Sequence, residues 1–333
     1  MKAKISIIAG FLIGAVLLYF AFRNIDFSAL VAIYSKVRAV FIIPFVLTAL
    51  LELLMRAARW RLLLNPSNPV RLWDAFRLQV AGLALSNILP LRLGEIARAT
   101  FGARIFAIPM LTVFATILVE RALDVLVLFL LFAAAAYLGG ITGGFMNYDG
   151  LLWGLFAGLI GAMAALIFSA EIISHHWFSG FFGRFPRLRA VFERLAMGVK
   201  AFTSFKSGAL IFLFAATQWL LDALNYYWIA RAFGLESVLD IFKCVALVFT
   251  GAVAASVPGM PGYFGNFEFT LTKVLAAWGV PRDVGFAYAS YAHVLGYVLV
   301  TTIGVIFVYQ MGHSLGKVWG EFSGDGAKEK GAA

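Results

Sequence analysis

Long apolar runs separated by short charged segments dominate the chain. The clearest are Ile5–Phe22, Val40–Met55, Ile117–Leu138, Leu151–Ala170, Ala209–Ala230 and Val284–Gln310. A helix that crosses the hydrocarbon core of a bilayer needs roughly 20 apolar residues, so these runs predict about six transmembrane helices. Ile5–Phe22 follows Lys2 and Lys4, which is also the order of a signal peptide. The run is long, however, and Phe22-Arg23-Asn24-Ile25-Asp26 offers no small-residue cleavage site, so a retained helix is expected.

Two further apolar stretches, Asp74–Pro90 and Asp240–Pro258, end in a Pro/Gly break and resume after it. Proline lacks the backbone donor and disfavours helix at the residue before it, so each helix should stop there. Counted as full crossings, they would place charge clusters on the wrong side. They are expected to be re-entrant hairpins, a backbone tolerated at membrane depth only when buried in protein or lining a wet cavity. The two stretches also match: Asp74-Ala75-Phe76-Arg77 and Asp240-Ile241-Phe242-Lys243 share Asp, Phe and a following cation, about half the chain apart. Repeat one then spans about 5–138 and repeat two about 151–310. Three crossings per half would invert the second repeat. The expected fold is an all-α polytopic membrane protein with two re-entrant hairpins in an inverted repeat. It forms a single transmembrane domain over 1–315, followed by a polar tail, 316–333. Inverted repeats with paired broken segments point to a transport site at the midplane; duplication without a transport role is the alternative.

Composition agrees, with 62% hydrophobic and 13% charged residues, against about a quarter charged in soluble domains. The net charge of +10 does not imply a nucleic-acid partner, because the cations flank the spans, where Lys and Arg meet anionic lipid and set orientation. Arg56, Arg59, Arg61 and Arg71 follow the second run. Arg184, Arg187, Arg189, Arg194, Lys200 and Lys206 follow the fourth, and Lys317, Lys328 and Lys330 the sixth, while Gly139–Gly150 has none. Both termini and the loop 171–206 are therefore expected in the cytoplasm of a cell with the chain in its inner membrane, and Gly139–Gly150 outside. Arg23, Lys36 and Arg38 run against this assignment. Within the loop, Leu188, Val191, Phe192, Leu195, Val199 and Phe202 share a helical face, which suits an interfacial helix on anionic lipid. The lone Cys244 excludes an internal disulfide.

Candidate chemistry gathers at three places. The first break carries Asn87, Pro90, Arg92, Gly94, Glu95 and Arg98. Charge at membrane depth is costly and rarely idle. Arg92 suits a phosphate, since guanidinium binds anions bidentately, while Glu95 and Arg98 lie one turn apart and read equally as a structural pair. The second break carries Pro261, Gly262, Gly265, Asn266 and Glu268. Asn266 is the expected N-cap, and Lys273 the only nearby cation on the same helix. The third place is Glu120, Arg121 and Asp124 inside the third span. If that span begins near Ile117, they lie by the cytoplasmic interface and take a cation from elsewhere, with Arg92 or Arg98 expected. His293 reads as a packing residue. No P-loop, dinucleotide fingerprint, zinc helix or nucleophile elbow is present, so neither an enzyme nor a cofactor or metal site is expected.

The ordered set Arg59-Trp60-Arg61, Asn87-x-x-Pro90-x-Arg92-x-Gly94-Glu95-x-x-Arg98, Glu120-Arg121-x-x-Asp124 and Pro261-Gly262-x-x-Gly265-x-x-Glu268 resembles the flippase-like transmembrane domain of lysylphosphatidylglycerol synthases, the multiple peptide resistance factor family. The resemblance covers nearly the whole chain. It implies movement of a modified lipid between leaflets; in that family a cytosolic domain makes the aminoacylated lipid. Only a short polar tail follows Gln310, so aminoacyl transfer is not expected here. Stand-alone relatives are associated with glycosylated and isoprenoid lipids as well. The expected function is flipping of an anionic or modified lipid, a phospholipid or glycolipid, through a headgroup site built from the residues above. An intramembrane transferase using Glu120 or Asp124 as base, and an accessory subunit without turnover, are the alternatives. A second copy of the chain, or a lipid-synthesis enzyme, would be the protein partner of such a role.

Overall fold

The computed structural model describes residues 27–89, 93–141, 200–257 and 260–312, with isolated positions elsewhere. Outside the described residues lie nearly all of the first and fourth apolar runs and of the amphipathic loop up to Val199, and residues 142–150 of the segment Gly139–Gly150. The tail 316–333, Pro90, Arg92 and Pro258 also lie outside them.

Regular structure among the described residues is helical throughout. In chain order the helices are α1 (Phe27–Tyr34), α2 (Ile42–Leu64), α3 (Leu72–Ile88), α4 (Leu93–Phe106), α5 (Met110–Leu138), α6 (Phe205–Phe233), α7 (Ile241–Ser256), α8 (Asn266–Ala277) and α9 (Arg282–Gln310). Local chemistry sets several boundaries. Pro109 and Pro281 stand directly before α5 and α9, where a missing N–H costs nothing. Asp240 caps α7 by accepting from the Lys243 N–H at 2.8 Å. Ala39–Leu64, Phe205–Phe233 and Arg282–Gln310 are long and apolar enough to cross a membrane. Their outer faces leave Leu47, Leu213 and Val298 more than half exposed, which would be a liability in water but matches acyl chains. The chain is an all-α polytopic membrane protein.

Two boundaries differ from the apolar runs. The helix that starts with the second run continues past Met55 to Leu64, because Arg56 and Arg59 are buried against protein rather than turned to headgroups. The third run begins at Met110 rather than Ile117. Glu120, Arg121 and Asp124 therefore sit in the middle of a 29-residue helix, not by its end.

Packing divides the chain into two units, one of Met1–Leu50, Arg77–Arg98 and Leu221–Ala333, the other of Leu51–Phe76 and Ala99–Leu220. In the first, α1 packs on α9 through Leu30, Phe286 and Ala287, and α8 packs against α7 and α9. Gly304 of α9 meets α3 so closely that a Cβ there would lie 2.3 Å from Ala84 Cβ and 2.5 Å from the Val80 carbonyl. In the second unit, Leu63, Val119, Leu123, Ala201 and Ile211 form an apolar cluster shared by α2, α5 and α6.

Both broken stretches double back. Across the first break, a Cβ on Gly94 of α4 would lie 2.2 Å from the Gly82 carbonyl and 2.3 Å from the Ser86 nitrogen of α3. At the other end of this hairpin, Asn68, just before α3, donates to the carbonyl of Phe106, the last residue of α4, at 2.8 Å. In the second hairpin, Asn266 at the start of α8 donates to the Val257 carbonyl at the end of α7, 3.0 Å away. Lys243, in the first turn of α7, lies 5.9 Å from the ring of Trp278, which follows α8. The order of long helix, short helix, break, short helix, long helix occurs twice. It has 23, 17, 14 and 29 residues in α2–α5, and 29, 16, 12 and 29 in α6–α9.

Candidate functional site

The second break is built from backbone that few residues tolerate. Met260 is extended, Pro261–Tyr263 makes one 3-10 turn, and Gly262 has φ 72°. A Cβ on Gly262 would come within 2.7 Å of the Tyr297 ring, so glycine here supplies both the turn and the room for Tyr297. Gly265, at φ 89°, precedes the first turn of α8. Tyr263 also holds a positive φ of 64°, a costly conformation for a residue with a side chain that persists only where its surroundings enforce it.

Glu268 closes this turn. Its Oε2 accepts from the Gly265 N–H at 2.7 Å, and its Oε1 lies 2.6 Å from His293 Nδ1 on α9. The imidazole is packed between Phe264, 4.5 Å away and nearly parallel, and Phe267, at 4.6 Å. Tyr297 meets Phe264 edge-on at 5.2 Å. One expectation changes here. The residue before the helix is Gly265, and Asn266 instead ties α8 back to α7. The partner of Glu268 is His293, while Lys273 stacks over Phe269 at 5.8 Å.

At the first break, Asn87 donates to the Thr301 hydroxyl of α9 at 3.0 Å. Gly94 allows the close start of α4, and Glu95 is half-buried beside it. Arg98 is buried and donates to Gln79 of α3, with its stem packed against Gly82. Arg92, expected on phosphate, lies outside the described residues.

His293, Tyr297 and Thr301 therefore receive both breaks. They stand at i, i+4 and i+8, on one face of α9, and bracket the midpoint of its 29 residues. Eight residues of helix rise only ~12 Å, so the two breaks reach one helix within a headgroup's length of each other.

The third constellation belongs to the other unit and is a closed charge cluster. Arg59 Nη1 donates to Asp124 at 2.6 Å, and its Nη2 lies 3.2 Å from Glu120. Arg121 reaches Glu120 and Asp124, each at 3.3 Å, and Gln218 of α6 donates to Asp124 at 3.1 Å. Next to it, Trp60 donates to Thr116 at 3.0 Å. The cation from another helix that meets Glu120 and Asp124 is thus Arg59. Sequence reasoning misses it because Arg59 stands among arginines that read as a headgroup-facing cluster. A signal was present: Thr112, Thr116, Glu120 and Asp124 recur every fourth residue and are all buried, a polar stripe turned to protein. The same spacing in His293, Tyr297 and Thr301 marks the residues missed on α9. Among the described residues, no three His, Cys, Asp or Glu side chains cluster to hold a metal ion.

The lysylphosphatidylglycerol synthase TM region family matches residues 7–304. A UPF0104 membrane protein of Methanothermobacter thermautotrophicus is 23% identical over 303 residues, covering 81% of this chain and 85% of that protein. No solved structure matches. The doubled hairpins, the motif residues on them and the extent of this match together place the chain in the lysylphosphatidylglycerol synthase transmembrane-region family.

Proposed function

We propose that the protein moves a lipid, anionic or with a modified headgroup, between the leaflets of the cell membrane. The headgroup passes over the His293–Tyr297–Thr301 face of α9, between the two hairpins, and the acyl chains stay in the bilayer. The observation that carries this reading is the meeting of both breaks on the middle of one apolar helix. A 29-residue helix is ~44 Å long, so its midpoint falls in the centre of the ~30 Å hydrocarbon core. Polar groups at that depth mark substrate pathways more often than packing. The hairpin arms are ~18–26 Å by the same rise, long enough to reach that depth and return.

One contact supports the orientation. Arg38, whose position argued against a cytoplasmic N-terminus, is tied to the Arg231 carbonyl and to Glu236 at 3.1 Å. Its charge serves a link between two loops that the assignment puts on the same, outer face. The transferase alternative gains nothing from the geometry, because Arg59 holds the carboxylates that would act as base.

Reconstitution tests the function. Full-length protein in vesicles of phosphatidylglycerol and phosphatidylcholine should move tail-labelled phosphatidylglycerol between leaflets and leave its mass unchanged. A changed mass would make the protein a transferase, and no movement with no mass change an accessory subunit.

A further inference from the structure

We propose that Glu268 and His293 form a proton-binding site through which the proton gradient drives lipid movement; the inference rests on the translocation reading above. The pair spans two helices at 2.6 Å, with side chains only 3% and 11% exposed, and it sits at the centre of α9. With a neutral imidazole the pair carries one negative charge, and with one further proton it carries none. That single proton removes a net charge from a place where charge is most costly. Imidazole is also the side chain whose charge changes between about pH 5 and 8.

Other titratable and charged groups stand on the described elements around the pair. α8 itself offers Lys273, which is on Phe269. At the start of α7 the Asp240 carboxylate accepts from the Lys243 N–H, and the Lys243 ammonium donates to the Val238 carbonyl. α1 offers Tyr34, whose hydroxyl is on Ser290, and α9 offers Tyr291, Tyr297 and, in its first turn, Arg282 and Asp283. From α3 and α4 come Arg98, held by Gln79, and Glu95. Among the described residues, no lysine or arginine is paired with Glu268, and its carboxylate is met by His293 and the Gly265 N–H.

The same carboxylate links the proton to the break. With Nδ1–H directed at Glu268, an incoming proton adds to the Nε2 lone pair, forming one N–H bond and an imidazolium that draws Oε1 closer. Loss of that proton to the opposite side breaks the same bond and restores the neutral imidazole. Each cycle thus takes one proton from one compartment and delivers it to the other, while the net charge beside the Gly262–Gly265 turn alternates. Because the Phe264 and Phe267 rings flank the imidazole and Tyr297 fills the space over Gly262, a shift of the turn changes the face that a headgroup meets.

Two measurements decide it. pH-difference infrared spectroscopy of the full chain in phosphatidylglycerol vesicles should show one imidazole and one carboxylate signal titrating together. E268Q should remove the carboxylate signal and uncouple the imidazole signal from it, and E268D, which keeps the charge, should restore the coupled titration. Signals unaffected by E268Q overturn the site. In wild-type vesicles holding a pH gradient, tail-labelled phosphatidylglycerol should accumulate in one leaflet and redistribute when a protonophore is added. Leaflet exchange indifferent to the gradient overturns the proposal and leaves translocation standing; absence of any exchange overturns both.

Discussion

Arg59 is fully buried and holds two carboxylates on the facing turn of α5. With Arg121 it makes the cluster neutral, so its removal leaves a net buried negative charge. Breaking a buried pair by deleting one partner costs about 3–5 kcal/mol, whereas replacing both partners by apolar groups is often neutral. Arg59→Leu should therefore lower the melting temperature of the purified protein sharply, and Arg59→Met with Asp124→Leu should recover most of the loss. Equal destabilisation by the single and double variants would assign the effect to shape rather than charge. Glu236 gives a residue-scale effect of pH. A hydrogen bond from its own backbone N–H, and then Arg38, hold its carboxyl below the ordinary range. The tie to Arg38 is therefore complete above the usual carboxylate range and is lost as pH falls through the lowered value. Protease accessibility of the 234–240 loop should rise on acidification, and Glu236→Gln should remove the pH dependence.

At the scale of elements, glycine placement separates packing from flexibility. Gly94 and Gly304 have no room for a methyl group, whereas Gly296, also on α9, has open space around it. Overpacking costs about 1–3 kcal/mol, and the Gly94 and Gly304 clashes are with backbone atoms and, at Gly304, the Ala84 Cβ, which cannot swing away. Gly94→Ala and Gly304→Ala should each destabilise the protein by at least that amount, while Gly296→Ala should be neutral or slightly stabilising through helix propensity. Thermal unfolding in detergent measures all three. Much at this scale was legible in the sequence. Pro/Gly breaks, helix-length apolar runs and the Asp-x-Phe-cation match located both hairpins and their order. The ends of α2 and the start of α5 were not legible, because hydropathy treats every charge as a boundary. Arg59 is paired with Glu120 and Asp124, and Arg56 with Glu52, inside the protein, and only the period-four polar stripe of α5 distinguishes such charges from headgroup contacts.

For the whole molecule, the sequence marked the two breaks but not the helix on which they meet. The doubling back of α3–α4 and α7–α8 follows from the breaks, whereas their common seat depends on His293, Tyr297 and Thr301, three unremarkable residues until the partners Glu268, Gly262 and Asn87 are beside them. If this seat holds in the membrane, Asn87→Cys and Thr301→Cys in a Cys244→Ser background should be joined by a short bifunctional thiol reagent. Absence of the cross-link with both thiols reactive would separate the first break from α9. The central claim is that a lipid headgroup crosses over this face, and leaflet exchange of tail-labelled phosphatidylglycerol in reconstituted vesicles tests it most directly. The informative set is wild type, Asn87→Leu, Tyr297→Ala and Val298→Ala, the last on the lipid-facing side of the same helix. The account predicts that Asn87→Leu and Tyr297→Ala slow exchange about tenfold or more, the loss of roughly 1.4 kcal/mol of barrier lowering, while Val298→Ala matches wild type and all four proteins melt alike. Exchange by the two face variants as fast as wild type, or by wild type no faster than in protein-free vesicles, would contradict it.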